Sequence, residues 1–248
     1  GRPGRRGGVA VARKEYNHVD GILLVDKPPE WTSFDVVNLV KRHFQLDKVG
    51  HCGTLDPFAT GLLVILLGKA TRLQDQLMAQ NKRYCGTIRL GEETSTEDLT
   101  GEVVATSSVP ELTLEGLQAV ADTFLGEGEQ VPPMHSAIKV NGQPLYKLAR
   151  KGKEVERRPR AIRIDSFTLS NLKLPEVSFV VDCSKGTYIR TLGADFGRKV
   201  GCGAHLTALR RLRSGDHTVE GAPTVEDVRA WDLDGLKAHL EPLPEARA

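Results

Sequence analysis

Apolar and polar positions alternate along the 248-residue chain in two periods, and the periods interleave without a regular rhythm. GILLVDKP (Gly21–Pro28) has the pattern of a short strand stopped by Lys27-Pro28-Pro29. TSFDVVNLVKRHFQL comes next, with a Thr/Ser cap and apolar residues at Val36, Val37, Val40 and Phe44, the spacing of a helix. KRYCGTIRLG alternates as a strand, with Tyr84, Gly86 and Ile88 on one side and Cys85, Thr87 and Arg89 on the other. ETSTEDLTGEVV predicts a polar turn returning to a strand, and TLEGLQAVADTFLG a helix ending at Gly126. AIRIDSFTLSNL and PEVSFVVDCS alternate as strands, KGTYIRTLGADFGRKVG opens a helix, and TVEDVRAWDLDGLKAHL is a capped, periodic closing segment. Between them EQVPPMHSAIKVNGQPLYKLARKGKEVERRPR is rich in proline, glycine and base. It predicts an extended loop with a short helix near Pro144–Arg150. Hairpin signals dominate and no βαβ rhythm is present, so the pattern predicts an α+β fold around a mixed, mainly antiparallel central sheet flanked by helices and loops.

One stretch resists this reading. HCGTLDPFATGLLVILLG (His51–Gly68) places a lone acid, Asp56, in a turn broken by glycine and proline, and an apolar run begins at once. Acids are seldom buried unless paired. Gly50, Gly53 and Gly61 admit backbone conformations closed to other residues, and Pro57 stiffens the position after the acid. Asp56 is therefore either a cap for a following helix or a nucleophile or base held by a rigid turn. Spacing alone leaves both open.

Composition narrows the class. Forty per cent hydrophobic and 27 per cent charged residues describe a soluble globular chain, and its apolar run GLLVILLG is too short to span a bilayer. The first 20 residues, basic and glycine-rich without an apolar stretch, are expected to be a disordered arm and not a signal peptide. Cys52, Cys85, Cys183 and Cys202 show no CxxC pair and are expected to be reduced thiols of a cytoplasmic protein, with no metal site. GLLVILLGKAT has the wrong glycine spacing for a phosphate loop, and GCGAHL lacks the third glycine of a dinucleotide fingerprint. Net charge is only +2, but it is unevenly spread: −4 from Glu220 onward and +6 before it. The densest basic stretch, Tyr146 to Arg163, has eight Lys/Arg against two Glu. That is either a solvated face or a surface for an anionic partner such as a nucleic-acid backbone.

Five motifs then meet in order: GHCGTLDPFATGLL, NKRYCGTIRLG, VPPMHSAIKVNGQPLYKLARKG, CSKGTYIRTLGADFG and GCGAHLTALRR. Together they resemble the TruB family of tRNA pseudouridine synthases in its bacterial form, from about Asp20 to Arg213. The resemblance implies a pseudouridine synthase fold over 21–219 and an RNA-clamping insertion at 132–163; many bacterial members continue into a C-terminal PUA-type RNA-binding domain, and here 220–248 departs from them, expected to be a short helical tail too small for a full one. It implies conversion of one uridine in the T loop of tRNA, position 55, to pseudouridine by a monomer that uses no cofactor and no metal. Asp56 matches the family's catalytic aspartate. His51 matches a histidine that fills the T loop and contacts the flipped nucleotide, and would otherwise be a surface residue. Tyr84 matches the tyrosine that stacks on the target base and helps remove the C5 proton. Arg190 is expected to pair with Asp56, and Tyr188 to line the uracil pocket. Leu209 matches an apolar residue packing on the substrate, although core packing would explain a leucine equally well. Lys27 is expected to support the active-site sheet. An RNA-binding module without chemistry, or the same chemistry on another RNA, are the competing functions. Intact Asp56, Tyr84 and Arg190 argue against the first, and the bacterial wording of CSKGTYIRT against the second.

Overall fold

The computed structural model describes residues 14–134, 139–140, 143–151 and 155–245. Along the chain the strands are β1 (Gly21–Lys27), β2 (Val49–Cys52), β3 (Thr60–Leu67), β4 (Lys82–Leu90), β5 (Glu92–Thr94), β6 (Val103–Thr106), β7 (Gly126–Gln130), β8 (Lys139–Val140), β9 (Gln143–Pro144), β10 (Arg160–Lys173), β11 (Glu176–Cys183), β12 (Ala204–Ser214) and β13 (His217–Thr218). The α-helices are α1 (Ser33–His43), α2 (Gln74–Met78), α3 (Leu114–Asp122), α4 (Leu145–Arg150), α5 (Ile189–Val200), α6 (Val225–Ala230) and α7 (Leu233–Ala238). Among the described residues one nine-stranded sheet has the order β1-β3-β12-β4-β11-β10-β7, with β2 beside β3 and β13 beside β12. Its ladders are antiparallel except for a two-residue parallel contact, Arg210 with Thr60 and Arg211 with Gly61. The expected α+β class with a mixed, mainly antiparallel sheet is what the chain forms.

The unbroken apolar run has a simple cause. β3 is covered on both faces: Leu63, Ile65 and Leu67 join the main core under the helices, while Leu62, Val64 and Leu66 join a second cluster with Ala70 and Leu77. A strand buried on both sides gains from apolar residues at every position, not at alternate ones. Helix α1 begins where its capping box predicts, with Thr32 and Asp35 exchanging hydrogen bonds of 2.9 and 3.0 Å. Helix α5 lies against β12 through Gly193 and Gly197; a Cβ on Gly197 would stand 2.3 Å from the Ala204 backbone nitrogen.

Several expectations need correction. Residues 1–13 of the expected arm lie outside the described residues, but 14–20 are ordered: Asn17 bridges Leu46, and Val19 is buried. The closing segment is two helices, because the chain is extended at Trp231 and Asp232 accepts from Gly235 N as a new cap. That segment also packs into the main core through Val225, Val228 and Leu236, and Glu241 pairs with Ile22 of β1. It is part of the same packed body as the sheet. Helix α3 stops at Asp122, and Gly126 opens a strand instead of closing a helix. The stretch GCGAHLTALRR, whose pattern predicts no element, forms the heart of β12 between β3 and β4. Part of the basic insertion, 135–138, 141–142 and 152–154, falls outside the described residues. Its last residues already belong to β10, which pairs with β7 from Arg160 onward.

Candidate active site

The site lies where one edge of β3 is shared. β2 pairs with β3 from Cys52–Val64 to Val49–Leu67, and β12 takes over the same edge at Thr60 and Gly61. The chain leaves β2 at Cys52 and returns at Thr60, so residues 53–59 loop across the split with Asp56 at their middle. The next element after Asp56 is the strand β3. The helix-cap alternative therefore fails, because no helix begins there.

Side chains from neighbouring elements pin this loop by its carbonyls. Lys27, fully buried at the end of β1, donates from Nζ to the carbonyls of Pro28, Trp31 and Pro57 at 2.8, 2.6 and 3.2 Å. Desolvation lowers the pKa of its ammonium to about 8, against the pull of Asp56 and Asp35. Buried Arg211 closes the split from β12, donating to Leu62 O at 2.9 Å and Gly53 O at 2.7 Å. Ser33 Oγ, at the start of α1, accepts from Leu55 N at 2.9 Å. Gly61 sits opposite Arg211 at φ +104, and a Cβ there would meet the Arg211 carbonyl oxygen at 2.3 Å. The expected supporting role of Lys27 thus has a definite form: it holds the residue next to the acid.

Arg190 reaches Asp56 from the second residue of α5, with Nε 2.8 Å from Oδ2. The arginine side chain is 5% exposed and the aspartate 35%. Desolvation raises the Asp56 carboxyl above its ordinary value; Arg190 opposes this, Asp98 adds to it, and Lys27 opposes it more weakly. Arg190 also donates to Thr96 O at 3.1 Å, and Thr191 Oγ1 donates to Glu97 Oε2 at 2.6 Å. These tie the start of α5 to the turn between β5 and β6. That turn is built on buried Asp98, whose Oδ1 accepts from Thr96 Oγ1, Thr100 N and Thr100 Oγ1 at 2.7, 2.8 and 2.6 Å.

Tyr84 stands on β4 opposite Arg211 of β12 and packs on the main core. Burial raises its phenol above the ordinary value; the charge and hydrogen bond of Arg211 act the other way. His51, on β2, is half-buried with Nε2 3.4 Å from Thr54 Oγ1, and burial together with the charge of Arg211 pushes its imidazolium pKa below the ordinary value. Tyr188 is the residue before α5, its backbone N–H and C=O both bonded to the Gln130 side chain at 2.9 Å. Leu209, paired with Gly86, is buried and lines a cleft of about 670 Å³ between Pro57 and Phe58 on one side and Leu99 and Thr100 on the other. A groove of similar size, about 690 Å³, crosses the outer side of α1 and holds none of these residues.

The structure therefore brings Arg190 onto Asp56, sets Tyr84 and His51 against Arg211 beside the same loop, and places Leu209 in the adjoining cleft. Sequence reasoning missed Arg211 and Asp98. Arg211 is the second of two adjacent arginines, and nothing in the pair tells which turns inward. Asp98 had a readable signal, an acid flanked by threonines at 96 and 100, the pattern of a side chain that organises its own turn. Among the described residues no group of three or more His, Cys, Asp or Glu could hold a metal ion, and no helix is long and apolar enough to cross a membrane.

A mixed sheet with an arginine-bound aspartate in the loop between β2 and β3, next to a cleft, fits a pseudouridine synthase, an isomerase that turns uridine into its C-glycoside. The chain belongs to the TruB family: the TruB family pseudouridylate synthase N-terminal domain matches residues 41–189, and the tRNA pseudouridylate synthase B C-terminal domain matches 190–246. It is 47% identical to the tRNA pseudouridine synthase B of Opitutus terrae, over 94% of this chain and 96% of that one. To the protein of the same name in Syntrophotalea carbinolica it is 50% identical, over 85% and 69%. Among solved structures it is similar to a chain in the crystal structure of a Cbf5-Nop10-Gar1 complex, with a TM-score of 0.70 and 30% identity, covering 90% of this chain and 60% of that one.

Proposed function

We propose that the enzyme isomerises one uridine of the tRNA T loop, position 55, and that Asp56 is the catalytic residue. The N1–C1′ bond breaks, the uracil turns, and a C5–C1′ bond forms; C5 loses a proton and N1 gains one, so the atoms balance without a co-reactant. A carboxylate serves as a nucleophile on the sugar or base, or as the base that removes a sugar proton to give a glycal. The pair with Arg190 carries this reading. Arg190 is nearly sealed from solvent while Asp56 is a third exposed, so the carboxylate is held by a buried partner and stays reachable from solvent. Partial desolvation raises its basicity and strengthens it as a nucleophile.

The other roles rest on position. Tyr84 offers a ring face to the extruded uracil and is placed to help remove the C5 proton; burial raises its phenol above the ordinary value. Leu209 lines the cleft beside Pro57, Tyr188 stands just before Arg190 at the start of α5, and His51 fills the space left in the T loop. Extrusion costs a few kcal/mol of unstacking, offset by these contacts. Asp56, Tyr84 and Arg190 come from one chain, so the site needs no residue of a second copy; a monomer acting on tRNA in the cytoplasm is part of the proposal. No cofactor or metal is required by the balanced reaction. Tritium release from C5-labelled uridine in a T-stem-loop transcript tests the proposal. Asp56→Asn should abolish release while binding stays within about tenfold of wild type, since the residue touches reacting atoms and not the bulk of the RNA. Turnover by Asp56→Ala above that of contaminating host enzyme would overturn it.

A further inference from the structure

Strand β7 is exposed at every residue except its last, and that one is polar: Gln130 is 4% exposed. A buried amide must find partners for both of its ends. Gln130 finds them on a single residue, Nε2 donating to Tyr188 O at 2.9 Å and Oε1 accepting from Tyr188 N at 2.9 Å. The side chain is thereby locked to the backbone as firmly as a strand neighbour would be. Tyr188 needs such a partner, because it opens α5 in an extended conformation and its own side chain does not cap the helix. Two residues further on, Arg190 grips Asp56 and Thr96 O.

The other flank of Gln130 is the root of the basic insertion. Val131, Pro132 and Pro133 come directly after it, and Pro132 O accepts from Arg157 Nη1 at 2.9 Å on the returning segment. Gln130 itself is paired across the ladder with Arg160. Both roots of the insertion are thus joined to each other beside Gln130, and one amide links that junction to the helix start bearing Arg190. Resting on the reading of Asp56 and Arg190 above, we propose that Gln130 is a positioning residue: it sets the height of the α5 start against the sheet, so that the arginine meets the carboxylate, and transmits the seating of the insertion to that contact.

The prediction is a separation of rate from binding. Gln130→Met keeps the length of the side chain and removes both hydrogen bonds. Its single-turnover rate constant, with T-stem-loop RNA limiting and enzyme saturating, should fall about tenfold or more, the scale of a sub-ångström to ångström misplacement. The Kd for the stem-loop should stay within about threefold, since the Gln130 side chain is itself buried and offers no contact to RNA. Unfolded enzyme lowers the concentration of active enzyme, and as long as folded enzyme stays saturating the single-turnover rate constant is unchanged, so the rate constant separates positioning from stability. Gln130→Glu, which keeps the acceptor for Tyr188 N–H and faces its carbonyl with an oxygen, should also be slow. In an Arg190→Lys background Gln130→Met should add much less than it does alone, because the two act on one contact. Asp56→Asn in the same assay keeps the readings apart: activity there overturns the site assignment. A dead Asp56→Asn beside wild-type rate constants in the Gln130 variants overturns the positioning role alone. Full additivity with Arg190→Lys, or failure of both Gln130 variants to fold, would also overturn it.

Discussion

Two regions of the molecule are rich in cations and use them in opposite directions. Around the Asp56 turn, Lys27, Arg190 and Arg211 are each at most 4% exposed, and their nitrogens are directed to protein acceptors: the carbonyls of Pro28, Trp31 and Pro57, then the Asp56 carboxylate and Thr96 O, then the carbonyls of Leu62 and Gly53. In the insertion, Lys147, Arg150, Lys151, Arg158 and Arg160 are exposed; half-buried Arg157 is held on the Pro132 carbonyl. Inward cations fix a loop to within the tolerance that chemistry requires. Outward ones make a field that an anionic backbone meets before any specific contact forms. The difference teaches that charge count predicts neither role. Exposure and the identity of the acceptor do.

Variants of the inward set should break this contrast first if it is wrong. Arg190→Lys keeps the charge but loses the planar fork that holds Asp56 and Thr96 O together. The single-turnover rate should fall about a hundredfold, with the melting temperature little changed. A near-native rate would show that the arginine does not orient the carboxylate. Lys27→Met leaves three carbonyls without their donor and should cost about 2 kcal/mol, seen as a melting temperature lower by about 4–8 °C. Its outward counterpart, Lys151→Met, should leave the melting temperature alone. Equal effects from the two would erase the distinction between the regions.

The carboxylate itself supplies a test by pH. Asp56 is raised in the folded state, so between its ordinary value of 3.8 and the folded value the native protein holds a proton that the unfolded chain has lost. Stability contributed by that proton falls as pH rises through this window, the reverse of an ordinary ion-paired aspartate. Asp182 is the internal contrast. Arg83 holds it at 2.7 and 2.9 Å and lowers its carboxyl, so its contribution is present above the ordinary value and is lost as pH falls. At neutral pH Asp56→Asn should melt no lower than wild type, and Asp182→Asn should melt lower. The opposite order, measured calorimetrically, would mean that Arg190 outweighs desolvation at the site.

Much of this contrast is legible in the sequence, and the gaps have physical reasons. Asp56 in a turn broken by glycine and proline stands out because it breaks a local rule, while Lys27 and the Tyr188–Arg190 element are legible through the family motifs they match. The strands are readable where one face is wet, as in β10 and β11. β12 is not, because its central position, bulges and inward arginine disrupt the alternation: its pairing with β4 shifts register between Leu206 and Ala208 and again between Arg211 and Arg213. Gln130 carries no signal at all. Glutamine in a polar strand is ordinary until the fold sets Tyr188 beside it.

The smallest effect tests the outward half of the comparison. Each protein cation that meets a phosphate contributes about 0.7 to 0.9 to the slope of log affinity against log salt. Arg157, Arg158 and Arg160 lie together, but they are not equivalent. Arg157 is held on the Pro132 carbonyl, so its replacement should loosen the root of the insertion more than it changes the field. Arg158 and Arg160 are exposed and are the two available to phosphate. Arg158→Gln with Arg160→Gln should therefore flatten the salt slope of T-stem-loop binding by about one to two units, and leave the single-turnover rate at saturating enzyme unchanged. Arg157→Gln should flatten it by much less. The acidic segment after Glu220 packs on β1 through Val225 and Val228 and should add no favourable slope of its own. A slope that ignores Arg158 and Arg160, or a rate that falls with them, would mean that the insertion acts on the chemistry through its arginines instead of holding the RNA.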